Sequence, residues 1–206
     1  MPVPSRIERW RSVVEPIASL YRLDPLLVLA LMDRESLGGD ALTPKGPLGT
    51  GDHGHGRGLM QIDDRAHKGF VGAVDDLGRP LWRDPAVNVH YSCRLLRRNL
   101  DSLNGYVAGA LAAYNAGLGR VRSVFGCVAA DASDEHRQVM VDSVTTGRDY
   151  SADVFRRRAE FAACAPLLLG AVDLAVPQEK APMKHRKTLI LSASLGIMLA
   201  APVALA

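Results

Sequence analysis

One carboxyl group in this sequence stands where a carboxylate is hardest to keep charged. Glu35 follows the run Leu26-Leu27-Val28-Leu29-Ala30-Leu31-Met32 and lies three, four and seven residues beyond Met32, Leu31 and Val28. A helix would place it on their face. A helix apolar on every side is a buried helix, and burial disfavours the charged form of a carboxyl and raises its pKa. Taken alone, such a Glu either serves as a proton donor or bends outward to water. The residues that follow favour the donor. The segment Gly46 to Gly58 carries Gly46, Gly49, Gly51, Gly54, Gly56 and Gly58, with Asp52 inside it, and Leu59-Met60-Gln61-Ile62-Asp63 ends in another acid. A protonated carboxyl facing ionised carboxylates across a loop is the equipment of glycosidic bond hydrolysis, in which one group protonates the leaving oxygen and another holds water.

These groups need elements to hold them. Asp24-Pro25 is a strong helix start, pairing an N-cap oxygen with a ring preset for the first helical position. Gly38 and Gly39 are positioned to end that helix. Leu59 to Asp63 reads as an extended segment. Strict alternation would turn Leu59, Gln61 and Asp63 to one face and Met60 and Ile62 to the other. Ile7 to Tyr21 reads as an amphipathic helix interrupted or restarted at Pro16. Asp84-Pro85 opens another that runs through Leu100, Gly105 to Ala116 is an Ala-rich central helix capped by Gly117, and Asp149 to Cys164 is the last. The expected fold is mainly α within the α+β class: a helical domain with a small β-hairpin beside the site.

Four segments in order carry a family resemblance. Arg34-Glu35-Ser36, then GDHGHGRGLMQID (residues 51–63) and Arg65-Ala66-His67, resemble the goose-type lysozymes. That family sits in the lysozyme-like superfamily, which also holds the soluble lytic transglycosylases. Ala113-Tyr114-Asn115-Ala116-Gly117 resembles the superfamily's AYNAG motif, and Asp149 to Val154 resembles its DYANDV helix start. Trp82 to Asn88 is similar to the segment opening the intervening helix. The likeness spans roughly residues 23 to 165. It implies a lysozyme-like fold, with Glu35 as the proton donor and Asp63 and Asp52 as the acids that position water. It also implies Gln61, His67, Tyr114, Asn115 and Tyr150 as substrate-binding residues. The implied substrate is peptidoglycan, cut at the β-1,4 bond between N-acetylmuramic acid and N-acetylglucosamine. A lytic transglycosylase, in which the sugar's own 6-hydroxyl attacks and leaves a 1,6-anhydro product, is the alternative chemistry. A glycan-binding domain without chemistry is the alternative class. Two departures stand out. The Glu35-to-Asp52 spacing is about four residues longer than in the goose egg-white type, with the extra length near Thr43 to Thr50. The segment Val124 to Ser143 is also longer, a candidate lip on the cleft.

Composition sets the outer limits. With 206 residues, 48% of them hydrophobic, the chain has material for one good core. Before Pro166 its basic and acidic side chains nearly balance, and no basic stripe with interleaved aromatics suggests nucleic acid. Arg156-Arg157-Arg158 reads as a solvated face, and Trp82 as packing. His53, His55 and His67 with Asp52 and Asp63 have the donor types of a zinc site. The resemblance uses both acids without metal, so no metal or organic cofactor is expected. Of the three cysteines, Cys93 reads as a small buried apolar residue. Cys127 and Cys164 could pair in an oxidising compartment. The expected organisation is an N-terminal helical extension over 1–22, a catalytic domain over 23–165, and a linker with the basic cluster Lys184 to Lys187 over 166–187. A hydrophobic tail covers 188–206. That tail, Thr188 to Ala206, has the build of a secretory signal yet also suits a membrane anchor or the fused start of another protein. The expected partner is a peptidoglycan glycan strand, met by a monomer acting on the cell wall in an extracellular or periplasmic setting, with membrane contact through the tail.

Overall fold

The computed structural model describes residues 3–129 and 131–163. The linker, the hydrophobic tail and Cys164 lie outside the described residues. Cys127 is exposed and its thiol donates to the Ser123 carbonyl at 3.3 Å. Among the described residues no helix is long and apolar enough to cross a membrane.

The fold is mainly helical, with one small antiparallel sheet. Helix α1 is Ser5–Glu8, α2 Arg11–Leu20 and α3 Pro25–Ser36. Strands β1 Thr50–Gly51, β2 Gly56–Arg57 and β3 Ile62–Asp63 follow, and then the single turn α4 Lys68–Val71. Helices α5 Pro85–Ser102, α6 Val107–Ala116, α7 Leu118–Phe125, α8 Asp134–Asp142 and α9 Tyr150–Ala163 complete the described chain.

The strongest start signals act as expected. Asp24 accepts from the Leu26 amide at 2.9 Å with Pro25 in the first helical position. Asp84 accepts from the Ala86 and Val87 amides at 2.8 and 3.1 Å. Helix α3 is left at Leu37, one residue ahead of the glycines, in a left-handed conformation (φ 51°). Gly38 (φ 62°) must be glycine, because a Cβ there would lie 2.2 Å from the Arg6 carbonyl oxygen.

The N-terminal break is not at Pro16. That residue is accommodated inside α2, and the chain breaks at Arg9 and Trp10 instead. The cause is tertiary: the Trp10 indole and the Arg9 guanidinium both donate to the Gly38 carbonyl, at 2.9 and 2.7 Å. Ile7 is meanwhile fully buried, in the same core as Val14, Ala18 and the α3 residues Val28 to Met32.

That main core also takes Leu59, Met60 and Ile62, Val89, Cys93 and Leu96 of α5, and Val154 and Phe161 of α9. A second cluster joins Ala108, Ala112 and Ala113 of α6 to Val121 of α7 and Val141 of α8. Helix α6 faces both clusters, and small side chains let its neighbours approach closely. The long segment Val124 to Ser143 thus closes the second cluster through α8, rather than simply edging a cleft.

The expected hairpin is a three-stranded sheet in the order β1-β2-β3, pairing Gly51 with Gly56 and Gly56 with Asp63. Strict alternation along Leu59 to Asp63 fails. Gln61 adopts φ 47°, and Leu59, Met60 and Ile62 are all buried, Leu59 and Met60 completely. The arginine run on α9 is likewise more than a solvated face. Arg157 binds the buried Asp33 and also Asp153, and Arg158 pairs with Asp24 at 2.6 Å. Arg6 reaches the same Asp33 at 3.0 Å, so this one carboxylate ties α1, α3 and α9 together.

Candidate active site

Glu35 ends α3 between an apolar core and the start of α9. The residue keeps some surface open, but its carboxyl is desolvated, and burial pushes its pKa up to about 7. Two weaker influences oppose this: a hydrogen bond from Tyr150 and the positive charge of Arg34. The Tyr150 hydroxyl donates to Glu35 Oε1. Burial and the Glu35 charge hold the Tyr150 phenol well above its ordinary pKa, so Tyr150 stays a donor. With Oε1 taken, the proton of the neutral acid belongs on Oε2.

Tyr150 is placed by the residues around it. Asp142, at the end of α8 and itself buried, accepts from the Ser151 amide and hydroxyl at 2.8 Å each and from the Ala152 amide at 3.1 Å. These bonds fix the first turn of α9, an orphan-donor position that needs acceptors. Arg34 pairs with Asp149 at 3.1 Å and Asp153 at 3.0 Å, and its guanidinium lies 5.5 Å from the Tyr150 ring centroid. Nothing in the sequence spacing singled out Asp142, and Arg34 stood in the quoted Arg34-Glu35-Ser36 segment with no sign of its partners.

The segment after the glycine-rich loop is held on its backbone. Ser36 donates to the Leu59 carbonyl at 2.7 Å, Asn88 accepts from the Met60 amide at 2.9 Å, and Tyr114 donates to the Met60 carbonyl at 2.8 Å. The charge of Glu35 is among the influences raising the Tyr114 phenol, which places Tyr114 in its electrostatic neighbourhood. Ser36 and Asn88 stood inside the quoted motifs, but the sequence offered no sign that they grip peptide groups.

The structure brings Asp52 and Asp63 together through Arg65, which was not among the predicted site residues. Arg65 Nη2 donates to Asp52 Oδ2 at 2.7 Å and to Asp63 Oδ2 at 2.6 Å. Its Nε reaches both Asp63 oxygens at 3.0 and 3.1 Å, and its backbone amide donates to Asp63 Oδ1 at 2.7 Å. These bonds, with one from the Ala66 amide, hold Asp63 below the usual carboxylate pKa. Both acids are at least partly open to solvent, Asp52 more than Asp63.

The other predicted residues have partners of their own. Gln61 donates to the Gly58 carbonyl at 2.8 Å. Its Oε1 would lie 2.2 Å from a Cβ on Gly51 or on Gly56, so the amide lies against the paired glycines of β1 and β2. His67 Nδ1 meets the Tyr91 hydroxyl at 3.1 Å, and burial together with Arg98 lowers its pKa. Asn115 is exposed and accepts from the Thr146 amide at 2.8 Å, tying the turn before α9 to the end of α6. His55 pairs with Asp64 at 2.9 Å. Among the described residues no three or more His, Cys, Asp or Glu side chains gather as a metal site. Trp82 is 4% exposed and packs.

A helical domain that presents a desolvated glutamic acid at a helix end, beside a small sheet carrying charged acids, defines a lysozyme-like protein. Comparison with known families agrees. The Transglycosylase SLT domain family matches residues 12–136, more than half the chain. Lysozyme g of Takifugu rubripes is 32% identical over 162 residues, covering 74% of this chain and 74% of that protein. Lysozyme g of Struthio camelus is 29% identical over 153 residues, covering 73% of this chain and 65% of its own length. Among solved structures, the lytic transglycosylase Slt of Pseudomonas aeruginosa, an inactive mutant, matches with a TM-score of 0.59 at 22% identity. The match covers 74% of this chain and 24% of that enzyme, so the chain spans about a quarter of its length and the likeness is one of fold. The chain belongs to the transglycosylase SLT domain family, on its goose-type lysozyme side.

Proposed function

We propose that this protein cleaves the β-1,4 bond between N-acetylmuramic acid and N-acetylglucosamine in peptidoglycan, as a muramidase of the goose type. One observation carries the proposal: Glu35 is a desolvated acid with a pKa of about 7, aimed by Tyr150. A general acid works best when its pKa lies near the working pH. Protonated on Oε2, Glu35 gives its proton to the bridging oxygen as the glycosidic bond breaks. Water held by Asp63 or Asp52 attacks the anomeric carbon from the opposite face, and the carboxylate takes up the water's proton. Gln61, His67, Tyr114 and Asn115 serve substrate binding indirectly, by fixing the walls, and neither metal nor organic cofactor takes part. The protein acts on cell wall outside the cytoplasmic membrane, as a monomer. Membrane contact through Thr188 to Ala206 is a separate proposal, checked by fractionating the full chain with vesicles.

Glu35→Gln keeps the shape and removes the proton. Clearing of purified peptidoglycan should fall by at least ~10²-fold; equal rates in the variant and the parent reject Glu35 as the acid. Lytic transglycosylation is favoured by a different observation, the donors that crowd Asp63. Product masses decide between the two, since an anhydro end lacks one water relative to a reducing end.

A further inference from the structure

Asp52 and Asp63 share Arg65, but their surroundings are otherwise unlike. Asp63 receives Arg65 N and Nε on Oδ1, and Arg65 Nε and Nη2 on Oδ2, with a further bond from the Ala66 amide. A carboxylate offers about four lone-pair sites, and those of Asp63 are filled. Among the described residues the Asp52 carboxylate has one hydrogen-bond partner, Arg65 Nη2 on Oδ2 at 2.7 Å, and the side chain is 55% exposed. Its Oδ1 is therefore available to water. Asp52 stands on an exposed turn, and no side-chain bond other than that to Arg65 restrains its carboxylate among the described residues. The Arg65 bridge supplies that restraint.

We propose that Arg65 is a positioning residue that divides the work of the two acids: Asp63 anchors its guanidinium, and the guanidinium holds Asp52 so that Oδ1 takes the attacking water. The inference rests on the hydrolytic reading above. In the step it describes, the water oxygen bonds to the anomeric carbon as the glycosidic carbon–oxygen bond breaks. The Glu35 proton goes to the leaving oxygen, and a water proton goes to Asp52 Oδ1 and then to solvent. Without a held water, the sugar's 6-hydroxyl attacks and the anhydro end forms instead.

The test is the ratio of reducing-end to anhydro-end products from purified peptidoglycan, measured by mass spectrometry for the full chain and for Asp52→Asn, Asp63→Asn, Arg65→Ala, Arg65→Lys and the Asp63→Asn/Arg65→Ala double variant. A purely structural role would change total turnover without moving this ratio. Asp52→Asn should lower the ratio at least ~10-fold, within the range expected for loss of a general base. Asp63→Asn and Arg65→Ala should each lower it by about threefold, and the double variant no further, because both remove one chain of support. Arg65→Lys, which lacks the planar fork, should fall between Arg65→Ala and the parent. A parent that makes only anhydro ends overturns the hydrolytic reading and this proposal with it; with a hydrolysing parent, the proposal alone is overturned by any of three results: a ratio lost with Asp63→Asn but kept with Asp52→Asn, a ratio raised by Arg65→Ala, or additive losses in the double variant. Failure of the acid assignment is read separately, as total turnover of Glu35→Gln equal to the parent.

Discussion

Glu35 and the Asp52–Asp63 pair stand within thirty residues of one another in the chain, at a helix end and along a glycine-rich loop and its exit, yet they answer opposite physical demands. Glu35 ends a helix whose residues Val28 to Met32 are buried, and desolvation keeps its proton on up to about pH 7. Asp52 sits on the exposed turn after β1 and Asp63, partly exposed, at the end of β3, where both bond one arginine. An acid and a water-holding base can coexist at one pH only if their surroundings push them apart. In the reading proposed above, the core would do so for one side and the surface for the other. The supports differ accordingly. Around Glu35 they come from distant residues, Tyr150 on the carboxyl itself and the buried Asp142 behind it. Around the aspartates they come from neighbours two to thirteen positions away.

The buried side is the easier to break. Asp142→Ala strips three hydrogen bonds from the first turn of α9 and leaves the fully buried Ser151 with unmatched donors. We expect a loss of about 3 kcal/mol of folding stability by urea denaturation. Turnover should fall with it, since Tyr150 loses its seat. Asp142→Asn keeps one acceptor and should lose about half as much. A loss below ~1 kcal/mol would mean that α9 is held by its arginine ties alone.

Glu35 itself carries a cost that the surface acids do not. The folded protein keeps its proton to about pH 7, whereas the unfolded chain releases it near 4.5. Between those values the unfolded state binds fewer protons, so stability falls as pH rises and levels off above 7. Glu35→Gln removes this slope. At pH 8 the variant should be more stable than the parent by up to about 3 kcal/mol, and at pH 4 the two should match. Thermal unfolding across that range checks it; parallel curves would show that Glu35 is not desolvated.

Much of the helical frame was legible in the sequence because its signals are local. Asp24-Pro25, Asp84-Pro85 and the apolar run before Glu35 each act within a turn or two of themselves. The acid at position 35 was legible for the same reason, since its neighbours in sequence are its neighbours in space. What was hidden depends on distant partners. Arg157 read as surface because its partner Asp33 is 124 positions away. The break at Trp10 depends on a carbonyl 28 residues on. Gln61 defeated the alternation because its amide lies over two glycines whose missing side chains carry no pattern of their own. Arg65 is a different case: it stood two residues from Asp63 in plain view, but only a fold that brings Asp52 alongside gives it both partners.

Tyr150→Phe probes the contact between the two halves of the acid's surroundings. The phenol bond favours the charged form of Glu35, so removing it should raise the Glu35 pKa above about 7. The alkaline limb of the turnover profile should move upward. The maximal rate should fall about tenfold, because Oε1 is no longer held and the proton is less well aimed. An alkaline limb that moves downward would show that Tyr150 bonds the neutral acid preferentially.

The smallest effect on stability is expected on the other side of the comparison. Arg65 makes more hydrogen bonds than Tyr150 does, yet its side chain is 57% exposed and its partners Asp52 and Asp63 are 55% and 37% exposed. Solvent screens such pairs, and ordering a long side chain offsets much of the attraction. Arg65→Ala should therefore leave the urea unfolding midpoint nearly unchanged, and added salt should shrink any difference further. A larger, salt-insensitive loss would mean that the sheet depends on this bridge to fold, and that the aspartates belong to the scaffold as much as the buried acid's supports do. A small one leaves Arg65 as a residue whose many bonds serve the placement of two charges rather than the persistence of the fold.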